Sequence, residues 1–254
     1  NASMGLIVAA PTAGSSGVIP GVFCSLQENF GFTDEEICKV LFNAAAVGYL
    51  ITRNATTAGA EGGCQAEVGA ASAMAASAAV ELLGGTPAQC LDAASFAIVN
   101  ILGLVCDPIG GLVENPCQNR NAMGASNALI SAELSMAGIR SITPIDETIG
   151  VMYAVGRSIP SELRETSLGG MAVAKSACEA ITDFRSGTAC FSTDPENRSL
   201  YDDPYRCRYP VIHSYEISEH LELRLDQSVG VAFSLVNNVY FVCICVEEHK
   251  EIVS

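Results

Sequence analysis

The run from Cys64 to Leu83 constrains this chain more than any other segment. It reads Cys-Gln-Ala-Glu-Val-Gly-Ala-Ala-Ser-Ala-Met-Ala-Ala-Ser-Ala-Ala-Val-Glu-Leu-Leu, and Gly84-Gly85 stops it. Alanine is the strongest helix former, so a helix starting near Glu61 to Cys64 is expected to run through Leu83. Its Ala, Gly, Ser and Met content leaves little side-chain bulk, so neighbouring helices can approach closely and pack as a central hairpin. Ala70 to Leu83 is not a membrane span, being made of small residues with Glu81 near its end.

Helix signals surround this segment. Thr33-Asp34-Glu35-Glu36 is a capping box, and Ile37, Val40, Leu41, Ala44, Ala45 and Gly48 follow at helical spacing. Thr86-Pro87 supplies an N-cap and a proline at the first helical position for a helix to about Leu104. Arg120 to Ala137 continues the pattern, and Thr143-Pro144 opens a helix ending before Pro160. Five helices result, with Pro11 to Gly21 as the main irregular segment. The expected fold class is all-α.

Composition changes abruptly near residue 183. Of the 23 glycines, 21 lie before it, whereas all three histidines and 9 of the 16 aromatics follow. We therefore divide the chain into a helical domain, 1–182, and an unassigned tail, 183–254, of β or disordered character. Within that tail Val229 to Val246 is strand-like, rich in β-branched and aromatic residues. Asn237-Asn238 at its centre argues against a span, and Ala93 to Val105 is too short for one.

The formal charge of −15, with 13 basic residues, argues against nucleic acid and anionic membrane surfaces, because both demand clustered Lys and Arg. No basic n-region followed by an apolar stretch marks a signal peptide. Eleven cysteines is an odd count, and Cys38 and Cys90 fall inside apolar helical patterns, where a reduced thiol packs as a small hydrophobe. A reducing cytoplasm is the expected compartment, and unusual cysteines there are more often metal-binding or catalytic.

Three cysteines stand apart. Cys64 follows Gly62-Gly63 and opens a helix, whose N-terminus lowers a thiol pKa. Cys106 and Cys117 bracket a loop holding Asp107, Pro108, Gly110, Gly111, Glu114, Asn115 and Pro116. From the cysteines alone, ordinary buried thiols and metal ligands are equal readings. Zinc is disfavoured, since no histidine and no close cysteine pair occurs before residue 213. The loop Pro11 to Gly17 has small residues whose amides can form an anion nest, to which the Thr12, Ser15 and Ser16 hydroxyls can add donors.

The motifs Met4-Gly5-Leu6-Ile7-Val8-Ala9-Ala10-Pro11-Thr12-Ala13-Gly14-Ser15-Ser16-Gly17, Gly62-Gly63-Cys64-Gln65-Ala66-Glu67-Val68-Gly69 and Cys106-Asp107-Pro108 through Asn115-Pro116-Cys117-Gln118-Asn119-Arg120-Asn121 resemble the α domain or α subunit of iron–sulfur L-serine dehydratases. Arg164-Glu165-Thr166-Ser167-Leu168-Gly169-Gly170-Met171-Ala172 is similar to that family's C-terminal signature. The resemblance covers roughly residues 1 to 177.

The resemblance implies a [4Fe–4S] cluster held by Cys64, Cys106 and Cys117, whose separations of 42 and 11 residues depart from ferredoxin spacings. An iron without a protein thiolate would act as a Lewis acid on the hydroxyl of L-serine, giving pyruvate and ammonia without pyridoxal phosphate. Thr12, Ala13, Gly14, Ser15, Ser16 and Gly17 would bind the substrate carboxylate. Arg120 and Asn121 lie near a ligand, where helix capping or a salt bridge is an equal reading. A β subunit or domain and an oligomeric enzyme are expected. Relative to the family the chain looks N-terminally truncated, and the proton-abstracting base stays unassigned. The rival readings are a cysteine desulfidase-like lyase and an inactive fragment. Cys178 is expected to be a structural thiol.

Overall fold

In a computed structural model of the chain, residues 7–111, 115–185, 229–236 and 239–246 are described. The Met4-Gly5 motif, the middle of the loop between Cys106 and Cys117, and most of the segment after residue 183 lie outside the described residues. Eight α-helices occur among the described residues: α1 (Val18–Phe30), α2 (Asp34–Asn54), α3 (Gly59–Gly62), α4 (Cys64–Leu82), α5 (Pro87–Val99), α6 (Cys117–Met136), α7 (Ile145–Ser158) and α8 (Lys175–Arg185). The fold is all-α. Val229–Val236 and Val239–Val246 pair as an antiparallel hairpin, Val229 opposite Val246 and Val236 opposite Val239, where the sequence reads as strand.

The chain is organised around α4. Every residue from Cys64 to Val80 is buried, so α4 has no solvent face. It packs against α5, α2, α6, α1 and α7, which makes it the axis of a ring of helices where the sequence suggests one arm of a central hairpin. The small side chains permit this crowding. A Cβ added at Gly124 of α6 would lie 2.7 Å from Val68 Cγ1, and the Ser72 hydroxyl donates to the Gly124 carbonyl at 2.8 Å.

Caps define the ring. At α2 the Thr33 amide donates to Glu36 Oε2 at 2.8 Å while the Glu36 amide donates to Thr33 Oγ1 at 3.3 Å, the expected capping box. At α5 Thr86 and Gln89 make the same reciprocal pair. On α2 the core face is Ile37, Val40, Ala44, Val47, Gly48 and Ile51. Cys38 is exposed, contrary to the expectation of a buried thiol, because it sits one residue, about 100° of helical turn, beyond Ile37. Cys90 is buried as expected.

The sequence reading misses α1. Pro20 and Gly21 argue for irregular chain, yet Pro20 is the third helical residue, where no intrahelical acceptor awaits its missing N–H. Gly31, at φ 73°, ends α1 by donating to the Gln27 carbonyl at 2.8 Å. Two boundaries also move. α5 ends at Val99 rather than Leu104, and α6 opens at Cys117 rather than Arg120.

Candidate metal centre

Two of the three singled-out cysteines begin helices. Cys64 is the first residue of α4 and Cys117 the first of α6, so both thiols sit where the helix dipole favours a negative charge. Cys106 lies on a third segment. Its amide donates to the Leu163 carbonyl at 2.8 Å and its carbonyl accepts from the Glu165 amide at 2.6 Å, a parallel bridge that fixes the backbone on both sides of the sulfur. All three side chains are buried.

The three sulfurs meet. The neighbouring Cys106 and Cys117 thiols, together with Arg120, hold the Cys64 thiol well below the usual range. Cys106 and Cys117 are pushed up by the neighbouring Cys64 and by burial.

Arg120 connects this pocket to its surroundings. Its guanidinium lies 3.5 Å from Cys64 Sγ, donates to the Val105 carbonyl at 2.9 Å and pairs with Asp107 Oδ1 at 2.7 Å. Burial opposes its charge, but the Cys64 thiolate and Asp107 outweigh that and raise its pKa. Asp107 is itself buried, and its second oxygen accepts from the Met171 amide at 2.6 Å. Gly170, at φ 62°, leaves room for this contact, since a Cβ there would collide with Asp107. The ion pair thus links the loop after Cys106, the helix after Cys117 and the 164–172 motif.

The loop Thr12 to Gly17 closes one side. Asn121 ties it to the cysteines: its Nδ2 donates to the carbonyls of Gly14 at 2.6 Å and Cys117 at 2.8 Å, while its Oδ1 accepts from the Gly17 amide at 2.9 Å. The Ser15 amide is spent on Thr12 Oγ1, and both the Ser16 amide and hydroxyl on the Ala13 carbonyl. Among the described residues, the amides of Ala13 and Gly14 have no protein partner. Cys178 is exposed on α8, its Sγ 3.9 Å from the Ala172 carbonyl.

Glu67 is the residue sequence reasoning overlooks. It is buried, Oε1 accepts from the Thr12 hydroxyl at 2.5 Å, and a carboxylate oxygen shares a 4.8 Å sphere with the sulfurs of Cys64 and Cys106. Burial pushes its carboxyl up to about 7, against the Thr12 hydrogen bond, and the charges of Cys64 and Glu165 add to the rise. Cys64 and Glu67 are three residues apart on α4, so helical spacing alone places them on one face.

The family described as "Serine dehydratase alpha chain" matches residues 1–172. The chain belongs to that family. It is 54% identical over 172 residues to the Bacillus subtilis protein named "Probable L-serine dehydratase, alpha chain", covering 68% of this chain and 57% of the relative. It is 54% identical over 184 residues to the "L-serine dehydratase, alpha chain" of Peptoniphilus asaccharolyticus, covering 72% and 63%. The "L-serine dehydratase" of Helicobacter pylori strain J99 is 42% identical over 175 residues, covering 68% of this chain and 38% of the relative. The serine dehydratase alpha-type chain thus spans about three-fifths of the length of the first two. No helix among the described residues is long and apolar enough to cross a membrane.

Proposed function

We propose that the chain is the cluster-bearing α part of an L-serine dehydratase, which converts L-serine to pyruvate and ammonia in the cytoplasm together with a β subunit or domain, as an oligomer. Its helical domain would span residues 1–182 and a further segment 183–254, with α8 (Lys175–Arg185) running across that boundary. The observation that carries the reading is the convergence of the buried Cys64 and Cys106, with the buried Cys117 tied through Asn121 to the Thr12 to Gly17 loop.

The donor set fits a [4Fe–4S] group. Three thiols come from three different segments, two helix N-termini and Arg120 offset thiolate charge, and among the described residues no fourth cysteine lies in this pocket. When bound there through Cys64, Cys106 and Cys117, the cluster supplies Lewis acidity toward the substrate hydroxyl. The chain's own residues do the rest of the positioning. The free amides of Ala13 and Gly14 receive the substrate carboxylate, while Thr12, Ser15, Ser16 and Gly17 shape that turn through their internal hydrogen bonds. Asn121 fixes the distance between that carboxylate site and the cysteines. Burial of the pocket keeps water from the reacting groups.

The test is anaerobic reconstitution of the chain with iron and sulfide, alone and co-expressed with a β chain, followed by pyruvate assay on L-serine. Cys64→Ser, Cys106→Ser and Cys117→Ser should each abolish turnover and the visible thiolate-to-iron absorption, whereas Cys38→Ser should leave both. Equal activity in all four variants would remove the ligand assignment.

A further inference from the structure

The donors at the head of α4 also suit a single metal ion. We propose that the cluster-free chain binds one divalent cation of the Zn2+, Co2+ or Fe2+ class through Cys64, Cys106 and Glu67, with Cys117 as the neighbouring fourth donor.

Spacing is the first argument. One ligand atom from each of Cys64, Glu67 and Cys106 lies within 4.8 Å of the other two. With Zn–S near 2.3 Å and Zn–O near 2.1 Å, donors on one tetrahedral ion stand roughly 3.5–3.8 Å apart, so a contraction of about 1 Å completes the site. The sequence argument against zinc rests on the lack of histidine and of a close cysteine pair before residue 213. Folding supplies the proximity instead.

The surroundings give the second argument. Glu67 Oε1 is fixed by Thr12, which leaves Oε2 toward the space beside Gly59. A Cβ on Gly59 would lie 3.1 Å from Cys106 Sγ and 3.4 Å from both Glu67 Oε2 and Glu165 Oε2, so the missing side chain lets these donors face one another. Charge is the third. Cys64, Cys106 and Glu67 converge, Glu165 Oε2 lies 3.4 Å from the same Gly59 Cβ position, and Arg120, which reaches Cys64, is paired to Asp107. A divalent ion would displace thiol protons and relieve the repulsion among these donors. Thiolate ligands select Zn2+, Co2+ or Fe2+ over Mg2+ and Ca2+. The inference rests on these donors and does not require the cluster.

The full chain, stripped anaerobically of iron and sulfide, is titrated with Co2+. Uptake of one ion per chain is expected, with visible bands of a tetrahedral thiolate site, displacement by Zn2+ and indifference to Mg2+. Losing even an outer partner of a metal ligand costs about 10–100-fold in affinity, so Thr12→Val should weaken binding about tenfold and Glu67→Gln about 100-fold. Cys90→Ser should leave it unchanged. Absence of saturable one-to-one uptake overturns the proposal, as does uptake by a folded Glu67→Gln variant equal to that of the parent chain. Circular dichroism of each variant establishes folding. A chain that takes up Co2+ but never assembles a cluster would sink the dehydratase reading and leave this one standing. Cluster assembly without Co2+ uptake would do the reverse.

Discussion

Asn121 offers the sharpest test of how the substrate loop is held to the cysteine pocket. Its amide makes three buried hydrogen bonds, to the Gly14 carbonyl, the Cys117 carbonyl and the Gly17 amide. Asn121→Ala removes all three. Cys117 lies in the first turn of α6, where its carbonyl can be served by the helix, so its loss costs least. Gly14 and Gly17 are buried, and each would keep a polar group without a partner. At about 1–3 kcal/mol for each such group, the expected destabilisation is roughly 2–5 kcal/mol, a large share of the ~5–15 kcal/mol of a typical domain. Asn121→Asp keeps the Gly17 bond but sets a carboxylate oxygen against two carbonyls, so it should cost at least as much. Guanidinium unfolding of the cluster-free chain under anaerobic reducing conditions, followed by circular dichroism, reads the change in midpoint at constant slope. Asn119→Ala, exposed on the same helix, is the control and should stay within about 0.5 kcal/mol. A loss below about 1 kcal/mol for Asn121→Ala, or native stability for Asn121→Asp, would refute the tether.

Two glycines on α7 should respond with opposite signs. Gly150→Ala meets nothing within 4 Å and should stabilise by about 0.5–1 kcal/mol through helix propensity, read as a raised Tm. Gly156→Ala would put its Cβ 2.7 Å from Gly62 Cα and 2.9 Å from Gln65 Nε2, and it should lower stability by about 1–3 kcal/mol despite the same propensity gain. Asp107→Ala leaves Arg120 buried without its ion-pair partner, and a loss of about 3–5 kcal/mol in denaturant unfolding is expected. Thr86→Ala breaks the capping box of α5 and should cost about 1 kcal/mol by the same measurement.

Local signals carried far in this chain. The capping residues Thr33 and Thr86 mark helix starts because a cap needs only its own first turn, and the alanine run of α4 marks a buried axis because it has no bulk to present. Cys64, Cys106 and Cys117 were legible as unusual residues through their glycine and proline neighbours. Their meeting was not, because the bridge between Cys106 and the 163–165 segment and the reach of Arg120 from Cys64 to Asp107 are long-range contacts. Glu67 could have been found from its three-residue spacing to Cys64. Helix α1 was hidden by Pro20, whose usual meaning fails in a first helical turn. Cys38 misled because an apolar pattern gives a helix period without stating which residues carry its buried stripe.

The alanine-built axis has a consequence for how this protein can vary. Most cores tolerate trimming, since a leucine or phenylalanine has methylenes to lose. From Ala70 to Ala79 the side chains are alanine or serine apart from Met74, and nothing smaller than alanine exists except glycine, which would weaken the helix itself. Mutation can move this centre almost only toward enlargement. Each added methylene would act as a wedge, and the first parts it would drive apart are the backbones whose N-termini carry Cys64 and Cys117. Variation along α4 should therefore register first as a misplaced thiol and only later as a loosened fold.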